Sequence, residues 1–184
     1  MKQPQCGFSL IELLIVVAII LTIAAIAVPN LMRSRMAANE ASAAGALRTV
    51  ATANVMYSST YNQGFAGDLN HLGPPAAGAP ATSDRADLID ATLSGVLAGT
   101  SNTSTKAGYV LTYLPQIPVP TPFAPNPTYS VSATPLAPQS TGQSTFCVDQ
   151  SNVVLKDSSG GAAAGAAGGC RAGAFVVGAT IGPL

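Results

Sequence analysis

Hydrophobic and polar positions divide the chain sharply. From Phe8 to Val28 there are 21 residues interrupted only by Ser9, Glu12 and Thr22. As a helix they reach roughly 31 Å at ~1.5 Å per residue, the thickness of a ~30 Å hydrocarbon core. The next stretch, MRSRMAANEASAAGALRTVATANVMYSST, is rich in alanine and spaces Leu47, Val50, Ala51 and Val55 at three- and four-residue steps. That spacing predicts an amphipathic helix whose stripe covers a sheet. Pro29 sits between the two stretches, where it removes the bond to the Ala25 carbonyl. Two readings stay open there, a helix that ends at Pro29 and restarts near Asn30, or one long helix kinked at Pro29. Gly45 is a second weak point. One helix over 8–59 would be roughly 52 × 1.5 ≈ 78 Å long.

Period-two patterning takes over in the C-terminal half. GYVLTYL, ending at Pro115, is β-branched and aromatic, and PTYSVSATPL alternates Tyr129, Val131 and Ala133 against Thr128, Ser130 and Ser132. STFCVDQSNVVLKD reads as two strands around an Asp-Gln-Ser-Asn turn. AFVVGATIG supplies a last strand. The expected fold is α+β, a long N-terminal helix, apolar in its first half and amphipathic in its second, packed on a small antiparallel sheet of three or four strands. Gly and Pro make 62–82 a loop, and a short amphipathic helix capped by Ser83 or Asp84 carries Leu88, Ile89, Leu93, Val96 and Leu97. The stretch 98–106 reads as loop, and the prolines from Pro115 to Pro127 as extended chain.

Composition adds constraints. Of 184 residues only 9% are charged, eight basic against eight acidic, and mean hydropathy is +0.37. This balance gives no electrostatic footprint for nucleic acid. Lone His71 lies in a Gly/Pro loop without metal-spaced companions and reads as a surface residue. Asp84, Asp87 and Asp90 recur every third residue, as on a solvated helix face. The segment GGAAAGAAGG lacks the lysine and hydroxyl of a phosphate loop. No nucleophile–base constellation, metal site or cofactor site is predicted, and the chain does not read as an enzyme. Of Cys6, Cys147 and Cys170, the first precedes the apolar run; if it is removed, the remaining two form either one disulfide or two buried thiols.

The N-terminus admits several readings: a cleaved secretory signal, a lipoprotein signal at Cys6, or a plain anchor with a stray acid. The run is too long for the first, and no apolar stretch precedes Cys6 as the second requires. A charge inside a membrane span usually has a partner and a role. The segment GFSLIELLIVVAIILTIAAIAVP resembles the N-termini of type IV prepilins and of the pseudopilins of type II secretion. Gly7, Phe8, Glu12 and Pro29 occupy the matching positions behind a short leader, MKQPQCG, with one basic residue, Lys2.

The resemblance implies a pilin-like fold and a defined sequence of events. A prepilin peptidase cuts between Gly7 and Phe8, Phe8 is N-methylated, and the mature chain of 184 − 7 = 177 residues polymerises through its apolar helix. The leader would be 1–7, the membrane and filament-core helix 8–29, and the globular head 30–184. Within the head, the helix would run to about 59, an αβ loop over 60–107, and the sheet with its disulfide loop over 108–184. Glu12, one helical turn from the new amine, would pair with it on the same or a neighbouring subunit and set register, since a buried charge is tolerable only when paired. A Cys147–Cys170 bond would match the disulfide-bounded C-terminal loop of many pilins. The implied partners are copies of itself, the peptidase/methyltransferase, an inner-membrane assembly platform with its ATPase, and the membrane before assembly. Location would run from inner membrane to an extracellular or periplasm-spanning filament. A pseudopilin or minor pilin of a secretion or DNA-uptake machine is the near alternative, and a signal-anchored periplasmic binding domain the distant one.

Overall fold

A computed structural model describes residues 8–161, 166, 168–172 and 181–184. The chain forms two compact units, one ending at Arg35 and one beginning at Met36. Helix α1, Leu10–Tyr61, runs unbroken through both and contains Pro29. Of the two readings of Pro29, the single helix is the observed one. Gly45 does not interrupt it either, and a Cβ there would meet nothing within 4 Å.

In the second unit, α1 buries Ala43, Ala44, Ala46, Leu47, Val50, Ala51, Ala53, Asn54 and Tyr57. The expected stripe is right at Leu47, Val50 and Ala51 and wrong at Val55, which stays 45% exposed. The 3.6-residue period carries the buried face through Asn54 and Tyr57 instead. Alanines on this face take little room, and large rings from the strands fill the space between helix and sheet. Tyr109, Leu111, Tyr113, Tyr129, Val131, Phe146 and Val148 join the helix residues in one core. Tyr113 and Tyr129 stack with ring centroids 5.6 Å apart.

Among the described residues the sheet has six antiparallel strands in chain order: β1 Thr103–Lys106, β2 Tyr109–Pro115, β3 Tyr129–Pro135, β4 Thr145–Asp149, β5 Leu155–Asp157 and β6 Ile181–Pro183. Strands β2 to β5 fall within the segments read as strands. β1 corrects the expectation of loop over 98–106. Its polar sequence, Thr-Ser-Thr-Lys, carries no hydrophobic alternation and is a strand because its backbone pairs with β2 from Thr103↔Thr112 to Lys106↔Tyr109. β1 and β6 together bring the count to six against the three or four expected; β6 lies in the segment read as a last strand, whose remainder, residues 174–180, lies outside the described residues.

The helix expected after Ser83 is absent. Asp87 has a left-handed φ of 57°, and the amides of Ala86, Asp87, Leu88 and Ile89 donate to carbonyls of His71, Gly73 and Leu72. Those tertiary bonds replace helical ones, and only turns and a 3₁₀ segment, Val96–Ala98, follow. The loop expected over 62–82 holds one helical turn, α2 Leu69–Leu72, capped by Asp68.

A buried polar network ties the loops to the core. Asn54 Oδ1 accepts from the Ala66 N–H (3.1 Å) and lies 2.9 Å from the Tyr113 hydroxyl, which is also 2.8 Å from the Ala66 carbonyl. Asn126, fully buried, donates through Nδ2 to the Ala66 carbonyl and accepts from the Ile117 N–H through Oδ1. The ends of the proline-rich loop are thereby fixed to α1 and β2. Burial pushes the Tyr113, Tyr109 and Tyr129 phenols well above their ordinary range, and Tyr57 up to about 12.

Candidate functional site

The apolar run is the most unusual surface of the chain. Every large hydrophobic residue from Leu10 to Met32 is exposed, from 45% at Val17 to 79% at Leu10, on all sides of the helix. A soluble surface helix confines its apolar residues to one stripe. Thr22 does not break the run, because its hydroxyl donates to the Ala18 carbonyl at 2.8 Å and so satisfies itself within the helix. By length and composition α1 is able to cross a membrane.

The helix start has its own chemistry. Ser9 precedes the first helical residue, and its N–H donates to Glu12 Oε2 at 3.0 Å, while the Leu13 N–H donates to the Ser9 carbonyl at 3.3 Å. Ser9-Leu10-Ile11-Glu12 has the spacing of a capping box, in which a carboxylate three residues on reaches back to an orphan amide. This local role was legible as S-x-x-E and is missed when Glu12 is considered only for charge pairing. Phe8, at 84% exposure, lies just outside the helix. Its neighbour Gly7 lies outside the described residues, as do Lys2 and Cys6. The structure thus places Phe8 and Glu12 at one helix end, with Pro29 farther along the same helix.

Residues 2–28 match a family described as the prokaryotic N-terminal methylation motif. The chain carries the type IV prepilin signature. The motif covers the short polar stretch at the start and the apolar run, and ends at Val28, one residue before Pro29. No curated protein and no solved structure matches the chain.

The remaining singled-out residues serve the head. Cys147 and Cys170 form a disulfide, buried with Leu155 beside Ile181. Asp149 braces it, with Oδ2 accepting the Cys170 N–H at 2.9 Å while Oδ1 accepts from Ser151. Asp157 is likewise buried and accepts the Ser159 N–H at 2.9 Å. His71 is not a free surface residue: its Nδ1 lies 2.6 Å from Asp68 Oδ1, and both side chains are only 20% exposed. Burial opposes ionisation of Asp68, but the His71 ring and backbone bonds outweigh it and hold the carboxyl below its ordinary value. Asp84, Asp87 and Asp90 share no helix face, and Asp90 pairs with Lys106 at 3.1 Å while capping the Leu93 N–H. Among the described residues no three His, Cys, Asp or Glu gather as a metal site.

Proposed function

We propose that this protein is a structural subunit of a type IV pilus-like filament. It is made as an inner-membrane precursor, cut after Gly7 and N-methylated on Phe8. The observation that carries this reading is the coincidence of the prepilin motif with an apolar helix exposed on every side. Such a surface needs lipid or neighbouring helices around it, and the two hosts serve in succession, membrane first and filament core second.

Glu12 has work in both settings. In the isolated chain it caps its own helix through the Ser9 N–H. After cleavage the new amine on Phe8 is a positive charge in an apolar surrounding, and Glu12 is its nearest opposite charge along the sequence. Replacing Glu12 with Leu leaves insertion and cleavage intact and blocks polymerisation; normal filaments from this variant would remove the pairing role.

Mass analysis of the mature N-terminus tests the reading as a whole. The expected product begins with methylated Phe8. An intact Met1, or a terminus near Val28, would instead mark a signal-anchored or secreted domain. Recovery of the chain in sheared extracellular filaments separates a pilin from a pseudopilin, which shares the processing.

A further inference from the structure

The apolar run ends on two arginines, Arg33 and Arg35. Both are exposed on α1, and neither makes an ion pair or a side-chain hydrogen bond among the described residues. As topology signals they point the wrong way. With the head exported, as the filament reading requires, they lie on the translocated side, against the bias of lysine and arginine towards the cytoplasm.

Their place along the helix matches a membrane boundary. Glu12 and Arg33 are separated by the 20 residues from Leu13 to Met32, none of them charged. As helix these extend ~30 Å, the thickness of a hydrocarbon core. A bilayer filled by this segment has the carboxylate at one boundary and the first guanidinium at the other. Lipid phosphates form a layer there, and a long cationic side chain reaches them while its methylenes stay with the acyl chains. Arg35 lies about 200° further round the helix, so the pair faces different sides and engages separate lipids. The planar fork of donors on each guanidinium matches two phosphate oxygens.

Protein carboxylates are a poorer match. In the head, Glu40, Asp68 and Asp90 are already in ion pairs, and Asp149 and Asp157 are buried, each accepting a backbone N–H. Most of the acid that a second copy could offer is therefore committed, whereas an anionic phospholipid brings a negative charge with no cation of its own.

We propose that Arg33 and Arg35 bind the phosphates of anionic phospholipids in the leaflet facing away from the cytoplasm, and so set how deep the helix sits. The inference rests on the membrane-precursor part of the function proposed above.

Electron paramagnetic resonance of spin-labelled phosphatidylglycerol and phosphatidylcholine, in vesicles of those two lipids holding the full-length chain, tests this. The lipid shell of the wild type is expected to favour phosphatidylglycerol about 2-fold overall, from two sites of about 5-fold each. Arg33→Gln with Arg35→Gln brings the ratio close to one, Arg33→Lys with Arg35→Lys keeps it above one, and Lys2→Gln changes it less than loss of the arginines does. A wild-type ratio of one, or a preference that survives loss of both arginines, overturns the contact. Lower filament yield from the double Gln variant at unchanged lipid preference assigns the arginines to a protein carboxylate and overturns it too. An unchanged melting temperature of the head in that variant keeps folding out of the result. Flotation of the vesicles separates the two failures. A chain that stays out of them removes the membrane reading and the contact with it; a chain that floats without lipid preference removes the contact alone.

Discussion

One helix, α1, is built on two opposite rules. Up to Met32 its large apolar side chains are exposed all round; from Ala43 to Tyr57 the buried ones are mostly small and confined to one face. The first segment offers any apolar neighbour a nearly uniform surface, in which Glu12 is the one charged side chain between Phe8 and Met32. The second is specific to its own domain, because Leu47, Val50 and Tyr57 share one core with rings from β2 to β4 and with apolar side chains of the intervening loops. Generic apolar surface would suit a segment that changes hosts, as the proposed function requires, whereas interlocking suits one that keeps a single set of neighbours.

That contrast breaks most plainly by removing equivalent side chains from each segment. Leu47→Ala, at a site with 0% exposure, is expected to cost the head about 2–5 kcal/mol. Leu14→Ala, on the exposed run, is expected to leave head stability unchanged, as thermal unfolding of the full chain in detergent will read. Next in size, Cys147→Ala with Cys170→Ala reopens a separation of 23 residues and removes about 3 kcal/mol. Denaturant unfolding of the oxidised and variant chains measures it, and assembly of the apolar segment is not expected to depend on it directly.

Smaller still, Tyr113→Phe withdraws a hydroxyl shared by Asn54 and the Ala66 carbonyl and is expected to cost about 1–2 kcal/mol. The smallest effect concerns Glu40, which anchors α1 to the loop before β4. Its carboxylate accepts the Gln143 and Ser144 N–H groups and pairs with Lys156 at 3.2 Å. Burial opposes its ionisation, yet the two amides and Lys156 outweigh that and hold the carboxyl below its ordinary 4.5. A carboxylate depressed in the fold stabilises above its unfolded value and ceases to as pH falls through the folded one. Wild type should therefore lose melting temperature faster than Glu40→Gln below about pH 4.5. Equal slopes would show that the anchor is not electrostatic.

Legibility in the sequence followed the same division. The apolar run, the Gly7–Phe8–Glu12 pattern and strands β2 to β5 are local signals, carried by periodicity and by residue type. β1 was not legible because Thr-Ser-Thr-Lys is strand only by virtue of its neighbour. The region after Ser83 misleads because its apolar spacing is helical while Asp87 adopts a left-handed conformation and tertiary carbonyls claim its amides. Asn54 escaped notice as a core residue because its burial depends on Tyr113 and Ala66, both distant in sequence. The capping box at Ser9 was readable throughout.

The ends of the sheet bear on how such a chain avoids the wrong polymer. Among the described residues the outermost strands are β1, four residues ending in Lys106, and β6, three residues ending in Pro183. An unpaired strand invites another to add alongside it, and shortness, a lysine and a proline each discourage that. On the function proposed above, copies would stand side by side in a membrane, the conditions that favour runaway cross-strand aggregation. Blunt borders on the sheet close that route to copies of the chain.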